Sequence, residues 1–217
     1  MSTTAIELPL FPLNIVLFPG AVRPLHIFES RYRQMIKDCL HQGHPFGLVL
    51  AREDSEYLSE EPYSVGTMAE IHNLSKQENG SYNFIAVGTQ RFRILSQHRN
   101  KPYLSALVEP FDDHPEPMTR LSIYVEQVRR LFISYLNLLL EAPGEKDVET
   151  NLPKEPEDLS HFIAYFLDME DEQKQHYLEL TSTQERLQSE ITFLRREVPF
   201  MREMLFKEPP KERIMLN

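Results

Sequence analysis

Two short apolar runs open the chain, LPLFPL at Leu8–Leu13 and IVLFPG at Ile15–Gly20. Proline and glycine punctuate both runs, and this pattern predicts short β-strands. Because proline cannot donate to a sheet ladder, we expect these strands to lie at an edge or to be short and bulged. Glu29-Ser30-Arg31-Tyr32 then opens a helix, which we expect to be the single helix of a β-rich first half.

Further strands are predicted where apolar residues run together, at Phe46–Leu50 and Gly66–Ile71. The acidic stretch Glu53–Glu56 between them is interpreted as a solvated loop. Asn79-Gly80 is the clearest local signal, because both residues suit the left-handed dihedral angles of a tight hairpin turn. We therefore expect an antiparallel pair of strands on either side of this turn.

Two similar tripeptides, Val65-Gly66-Thr67 and Val87-Gly88-Thr89, each place a glycine in a strand pattern. Such a glycine usually marks a bulge or a close approach of two backbones, which lets a small barrel bend its sheet closed. We interpret both as points of closure rather than as ligand loops. After the second tripeptide, Arg91 and Arg93 alternate with apolar residues, so we expect both arginines on the wet face of the strand.

The second half of the chain has helical periodicity. Apolar residues recur at steps of four and three from Leu121 to Leu139, which predicts a long helix with one buried face. Shorter helices are predicted at about residues 158–167 and 173–180. We therefore expect a PUA-like β-barrel subdomain at residues 1–115 and a helical bundle subdomain at residues 116–217.

The last helix is predicted to begin at Thr181-Ser182 and to stop or kink at Pro199, whose ring nitrogen has no hydrogen to donate. The chain remains apolar beyond this proline. We interpret the following segment as partner-facing, and the alternative is that it folds back as one more turn of the bundle. The candidate partner-binding residues are Phe200, Met201, Met204, Leu205 and Phe206.

The chain is acidic, with 33 aspartates and glutamates against 23 lysines and arginines and a net charge of −10. This balance disfavours both a nucleic-acid backbone and an anionic membrane surface as partners. The sequence has no apolar run long enough to span a bilayer, and its first residues carry no signal-peptide pattern. The single cysteine, Cys39, is interpreted as a structural thiol on a buried helix face. We expect a cytoplasmic protein that binds no nucleic acid and no membrane.

Sequence patterns that carry chemistry are missing. The sequence contains no P-loop, no Gly-x-Ser-x-Gly elbow and no His-Glu-x-x-His pair. His41 and His44 have no matching cysteine or acid, and Asp112-Asp113-His114 is interpreted as a solvated charge run rather than a metal site. Asp158-Leu159-Ser160-His161 has the residue types of a hydrolase triad, but on one helix they suit capping instead. We therefore expect no enzymatic activity, no metal and no cofactor.

In their order along the chain, these motifs resemble the amino-terminal domain of Lon proteases. The resemblance runs from about Ile6 to about Glu197. It implies an α+β fold, in which a PUA-like β pseudo-barrel with one early helix is followed by a C-terminal helical bundle. The stretches that carry it are Leu8–Leu13, Leu17–Gly20, Pro24–Tyr32, Gly47–Val49, Val65–Ile71, Val87–Ile94 and Glu185–Leu187.

The resemblance also implies a function, since in full-length Lon this domain recognises unfolded or tagged proteins and helps assembly. Walker motifs and a serine-lysine dyad have no matching positions, so we expect a non-catalytic module without the ATPase or protease parts. Its partners would be exposed apolar segments of client proteins, bound at an edge strand, in the groove between barrel and bundle, or at both. Weak self-association is a further expectation.

Two other functions stay open at this point. PUA-like barrels elsewhere bind RNA, and Arg91, Arg93, Arg99 and Lys101 could gather on one hairpin to do so. An enzyme acting through an unrecognised pocket is the third interpretation. The matched motifs do not mark a binding site, because several of their residues are of types that fill a barrel core. These are Phe18, Phe28, Phe92 and Ile94.

Overall fold

The computed structural model describes residues 5–52, 61–140 and 151–207, and in these residues the chain forms six strands and five helices. The strands are β1 (Ile6–Leu13), β2 (Val22–Ile27), β3 (Phe46–Ala51), β4 (Pro62–Lys76), β5 (Tyr82–His98) and β6 (Ser105–Phe111). The helices are α1 (Ser30–Gln42), α2 (Met118–Leu139), α3 (Pro156–Phe166), α4 (Asp171–Glu179) and α5 (Thr183–Lys207). The predicted α+β class, with one early helix and a helical C-terminal part, is confirmed. The loop predicted at Glu53–Glu56 lies outside the described residues.

The strands close into a small barrel. Their order is β2-β5-β4-β3-β1-β6, and β5 pairs with β6 as well. The length of β5 makes closure possible, because its first part, Tyr82–Val87, pairs with β2 while Arg91–His98 pairs with β6. The predicted pseudo-barrel is therefore confirmed, and β2 remains attached to it as an edge strand.

β1 lies inside the sheet, is eight residues long and pairs without a register shift, so the prediction of a strand that lies at an edge or is short and bulged is wrong. Residues 6–9 pair antiparallel with β6, and residues 10–13 pair parallel with β3. The amide of Leu10 donates to the carbonyl of Leu104 at 2.8 Å, on the β6 side. Backbone nitrogens alternate in direction along a strand, so the nitrogen of Pro9 faces β3 and that of Pro12 faces β6. Pro9 precedes the residues that pair with β3, and Pro12 follows the residues that pair with β6. Neither proline removes a ladder hydrogen bond.

The run Ile15–Gly20 forms no strand, and the edge strand is β2 instead, which contains Pro24. Gly20 adopts a positive φ of 75° in the turn that precedes it. A proline in an edge strand is tolerated because one side of the strand has no ladder. The proline that lies in an edge strand is therefore Pro24 of β2.

The glycines of the two similar tripeptides lie where backbones approach closely, as predicted. A Cβ atom on Gly66 would stand 2.5 Å from the carbonyl oxygen of Leu48, so only glycine fits there. The amide of Gly88 donates to the carbonyl of Ala21 at 2.9 Å, and its carbonyl accepts from Gly20 at 2.9 Å. These contacts hold the turn before β2 against the barrel wall.

The hairpin between β4 and β5 is confirmed, although its turn differs from the predicted one. Gln77 and Ser81 close the loop through a 2.9 Å hydrogen bond, so three residues form the turn instead of two. Only Gly80 has a positive φ, at 82°. Asn79 acts through its side chain, whose oxygen accepts from the Ser81 amide at 3.0 Å. A type I turn followed by a left-handed glycine has this geometry.

The described residues divide into two compact units. The first comes from Met1–Pro115 with Pro153–Ser182, and the second from Glu116–Leu152 with Thr183–Asn217. This division differs from the expected subdomains because α3 and α4 group with the barrel. Side chains explain the grouping: Gln175 on α4 donates to the carbonyl of Val65 at 3.0 Å, and Tyr165 on α3 donates to that of Val22 at 3.2 Å.

The second unit pairs α2 with α5. The Gln184 amide donates to the Glu116 carboxylate at 2.9 Å, and the Gln127 side-chain amide lies 3.3 Å from Arg195 Nε. Both contacts join residues with the same separation in sequence, so the helices run parallel and their C-terminal ends lie side by side. Most of the two predicted faces is buried, but Leu139, the last residue of the stripe predicted on α2, is 46% exposed. The buried residues are Leu121, Val128, Phe132 and Tyr135 on α2 and Leu187, Ile191, Leu194 and Val198 on α5.

α5 does not end at Pro199, since the helix continues to Lys207. The proline removes one helical hydrogen bond, which costs about 3 kcal/mol in a helix interior. Methionine, leucine, arginine and glutamate follow it, and all four have high helix propensity. The helix therefore resumes after the proline, and the candidate partner-binding residues lie on its last two turns.

Candidate functional site

Arg91 is a buried cation, so the prediction that it lies on the wet face of β5 is wrong. Its guanidinium donates to the carbonyl oxygens of Leu178 and Leu180, at 3.0 and 2.5 Å, and forms an ion pair with Asp113. The ring of Phe111 stacks on it, 4.6 Å from the guanidinium carbon to the ring centre. Arg91 thus fastens the end of α4 to the barrel, and this role is structural.

The charge run Asp112-Asp113-His114 is only partly solvated. Asp112 is exposed, as expected, but the side chain of Asp113 is 3% exposed because it faces Arg91. A backbone hydrogen bond of 2.8 Å from His114 to Thr181 holds the same connector in place. Asp113 therefore serves as the counter-ion of Arg91.

The residues that resemble a hydrolase triad lie along α3. Ser160 is buried, and its hydroxyl donates to the carbonyl of Glu157 at 2.8 Å, one turn back in the helix. His161 is buried against the ring of Phe18, with 6.1 Å between ring centres. The contacts of Ser160 and His161 are therefore those of side chains that pack the fold, and not those of a nucleophile and its base. Across residues 5–52, 61–140 and 151–207, no three His, Cys, Asp or Glu side chains converge as metal ligands would.

Phe28 is 66% exposed, so the interpretation of this residue as core filling is wrong. Phe18 and Phe92 are fully buried, as interpreted, and Ile94 is half-buried. Phe28 follows the end of β2 and stacks on His26, with 6.0 Å between ring centres. A cavity of about 280 Å³ opens beside it, and its lining is Phe11, Pro12, Leu13, Asn14, His26, Ile27, Phe28, Glu29, Arg31 and Tyr32. We call it the aromatic cavity.

A second cavity of about 200 Å³ adjoins the first and shares Arg31 and Tyr32 with it. Arg99, Lys101 and Tyr103 complete most of its wall. None of its lining residues is acidic, and we call it the cationic pocket. Of the four basic residues considered for RNA binding, Arg99 and Lys101 meet here. Arg93 lies over Phe111 instead, at 4.9 Å.

Lys101 also lines a third cavity, of about 530 Å³. It runs beside the first residues of β1 and the end of α1. Most of its lining is apolar, and we call it the β1 cavity. Its residues are Ile6, Glu7, Leu8, Pro9, Gln42, His44, Pro45 and Lys101.

The candidate partner-binding residues on α5 are largely exposed. Phe200 is 57%, Met204 56% and Leu205 43% exposed, while Met201 is half-buried. The side chain of Phe206 lies outside what the structure describes. Because α2 and α5 run parallel, the exposed Leu139 and Leu140 lie at the same end of the helix pair. We call Leu139, Leu140, Phe200, Met204 and Leu205 the apolar helix end.

Comparison with solved structures supports the fold. A Lon N-terminal domain protein from Xanthomonas campestris aligns with a TM-score of 0.62 and 23% identity, covering 94% of this chain and 99% of that one. The N-terminal domain of a Lon protease from the Mycobacterium avium complex aligns with a TM-score of 0.68 and 18% identity, covering 88% and 98%. At these identities, the likeness concerns the fold alone.

Sequence comparison extends the likeness to the family. The chain is 29% identical to Lon protease of Anaeromyxobacter dehalogenans (strain 2CP-C) and to Lon protease 2 of Myxococcus xanthus, over 87% of its own length in each case. It spans 23% of the length of either relative. Residues 7–196 match the family described as the ATP-dependent protease La (LON) substrate-binding domain. The chain therefore belongs to this family, which confirms the resemblance drawn from its motifs.

No helix in the described parts of the chain combines the length and the apolar character that crossing a bilayer requires.

Proposed function

We propose that this chain recognises exposed apolar segments of other proteins and catalyses no reaction on them. The observation that carries the proposal is the apolar helix end, where Phe200, Met204 and Leu205 present large side chains to solvent. Phe200 and Met204 are four residues apart and so share one face of α5, and exposed apolar side chains grouped in this way often mark an interaction site. Membership of a substrate-binding domain family supports the same role.

The chemistry of the apolar helix end fits partners of varied sequence. Methionine has a flexible, polarisable side chain that adapts to differently shaped apolar groups. Leucine and phenylalanine add contact area without any charge that would select a particular partner. A surface of this composition favours weak binding to many unfolded segments over tight binding to one. Met201 and Phe206 belong to the same proposed site.

The proposal also covers catalysis and location. The purified protein should hydrolyse neither ATP nor an unfolded substrate, and a turnover that disappears on mutating one of its own residues would contradict this. We place it in the cytoplasm, where the thiol of Cys39 stays reduced. One form of this role is that of an adaptor that binds client proteins for a separate protease.

The test is a change of exposed apolar residues at this surface. The double variant Phe200→Ser/Met204→Ser should bind a reduced and alkylated, permanently unfolded protein about tenfold more weakly, since it loses two apolar contacts worth roughly 1.4 kcal/mol in total. Fluorescence anisotropy with the labelled unfolded protein gives the Kd. The matched control is Met118→Ser/Ile123→Ser, because both residues are exposed on the first turns of α2.

Equal losses in the two double variants would show that the contacts are unspecific and would contradict the proposed site. Sedimentation of the wild type and the α5 variant separates client binding from self-association, since a second copy of the chain could also cover this surface. Binding to RNA that falls steeply with salt would favour the RNA-binding function instead.

A further inference from the structure

The cationic pocket is unusual for a chain of net charge −10, because three basic side chains line it and none of its lining residues is acidic. Local charge of this kind attracts an anion in spite of the negative charge of the whole chain, since exposed charges beyond a Debye length of roughly 8 Å are largely screened. Arg31, Arg99 and Lys101 supply the positive charge.

Two of these cations are held on aromatic rings. The guanidinium carbon of Arg31 lies 4.6 Å from the ring centre of Tyr32, and the ammonium of Lys101 lies 5.7 Å from that of Tyr103. The hydroxyl of Tyr103 donates to Asp38 on α1 at 2.6 Å, which fixes its ring. Burial, and after it this hydrogen bond, raise the pKa of Tyr103, so the hydroxyl stays protonated and the ring stays neutral beside the lysine. The pocket is therefore organised before any ligand arrives.

Two cavities with largely apolar surfaces share different lining residues with the cationic pocket. The aromatic cavity shares Arg31 and Tyr32 with it, and the β1 cavity shares Lys101. A ligand that fills all three must be extended, with an anionic group in its middle and apolar groups on either side. A protein segment with one acidic side chain between apolar residues has this chemistry.

We propose that the cationic pocket binds the side-chain carboxylate of an aspartate or glutamate in an extended client segment, with the flanking apolar residues in the two adjoining cavities. The proposal rests on the proposed function, since it takes the ligand to be a segment of another protein. Binding in the cationic pocket would add a preference for client segments with an acidic side chain, which the apolar helix end does not provide.

Glu29 and Glu7 compete for two of these cations, Arg31 and Lys101, and neither prevents binding. Glu29 lies 2.9 Å from Arg31 and Glu7 lies 3.5 Å from Lys101, but both carboxylates are about half exposed. Exposed ion pairs of this kind stabilise a protein by about 0–1 kcal/mol, so a client carboxylate can replace either one. Bound apolar residues would exclude water and strengthen the new contacts.

The test uses three acetylated and amidated fluorescent peptides that differ only in a central residue, Glu, Gln or Lys, between the same apolar residues. At low salt, the Glu peptide should bind about tenfold more tightly than the Gln peptide, and the Lys peptide more weakly still. The variant Arg99→Gln/Lys101→Gln should bind the Glu, Gln and Lys peptides with equal affinity. Its affinity for the Gln peptide should equal that of the wild type. The matched control is Lys76→Gln/Lys154→Gln, which removes two exposed lysines from the same unit outside the pocket.

A Gln peptide with a free C-terminus separates the two sources of a carboxylate. Preference for this peptide over the internal Glu would overturn the proposal, and so would a Glu preference that persists in Arg99→Gln/Lys101→Gln or disappears equally in the control. If unfolded protein binds while Glu and Gln peptides bind equally or not at all, the inference fails and the proposed function stands. If neither unfolded protein nor any peptide binds, both fail.

Discussion

Arg91 and Asp113 form an ion pair whose side chains are 1% and 3% exposed, between a barrel strand and the connector that follows β6. Glu157 stands 3.8 Å from the same guanidinium and is partly exposed. Burial of two charges costs several kcal/mol per ion, and here the cost is offset by mutual attraction and by hydrogen bonds to two helix-end carbonyls. The pair fixes the position of α4 on the barrel.

The first prediction concerns this ion pair. Asp113→Ala should lower the free energy of unfolding by about 3 kcal/mol or more, because it leaves the Arg91 charge buried without its main counter-ion. Urea denaturation of the variant measures the change. The neighbouring Asp112→Ala is the matched control, since Asp112 is exposed and should change stability by less than about 0.5 kcal/mol. Equal effects of the two changes would show that the pair contributes little.

A second prediction concerns the β4–β5 turn. Gly80→Val should destabilise the fold by about 1 kcal/mol or more, because a β-branched residue at a φ of 82° is strained. A Cβ atom there also meets the flexible end of Arg33 at 2.9 Å, which can move aside. Glu78→Val in the same turn is the control, since Glu78 has no positive φ. A melting midpoint unchanged by Gly80→Val would mean that the turn tolerates other conformations.

Glu190 on α5 gives a prediction about pH. Burial raises its pKa well above the ordinary value of 4.5, although the positive charge of Arg186 acts in the opposite direction. Because the folded state then binds the proton more tightly than the unfolded state, stability should fall as pH rises from about 4.5 towards the raised pKa. Glu190→Gln should remove this fall and melt several degrees higher than the wild type above that window.

The control for this measurement is Glu126→Gln, which changes an exposed glutamate on α2. Thermal unfolding is followed by circular dichroism from pH 4 to pH 9 for all three proteins. A wild-type curve parallel to that of Glu190→Gln throughout would show that the carboxyl group ionises without any cost.

The fourth prediction concerns Cys39. Burial and the nearby charge of Asp38 raise the pKa of its thiol to about 11, so at pH 8 only about one thiol in a thousand is ionised. Iodoacetamide should therefore leave the folded protein unmodified over an hour and alkylate it fully in urea, as measured by mass spectrometry. Rapid alkylation of the folded protein would mean that α1 opens readily.

Local sequence patterns predicted most of the fold. Alternating and helical apolar spacing placed α1, β3, β4 and the buried faces of α2 and α5, because each pattern reflects burial along one element. Glycine positions predicted barrel closure, since Gly66 has no room for a side chain. The ion pair of Arg91 was missed because alternation along β5 says nothing about what covers its other face. In this molecule, α4 covers it.

The candidate site was less predictable. Exposure of Phe28 was missed because residue type alone favours the core. Pro24 is a local signal for an edge strand, but the stretch that contains it was not predicted to be a strand. The cationic pocket joins Arg31 to Arg99 and Lys101, which lie far along the chain from it. Only the closeness of Arg99 and Lys101 could be expected from the sequence, and no local motif adds Arg31 to them. On α5, apolar spacing continues across Pro199, and the helix continues to Lys207 although the proline predicted a stop or a kink. The role of its last turns as a binding surface stays a prediction.

If the chain binds proteins through their exposed apolar segments, it should distinguish an unfolded protein from the same protein in its folded state. Isothermal titration compares the same client protein in its native and its reduced and alkylated forms. We expect binding to the unfolded form alone, with a negative heat-capacity change of binding because apolar surface is buried. Equal affinity for both forms, or no binding to the unfolded form at concentrations up to the millimolar range, would contradict it.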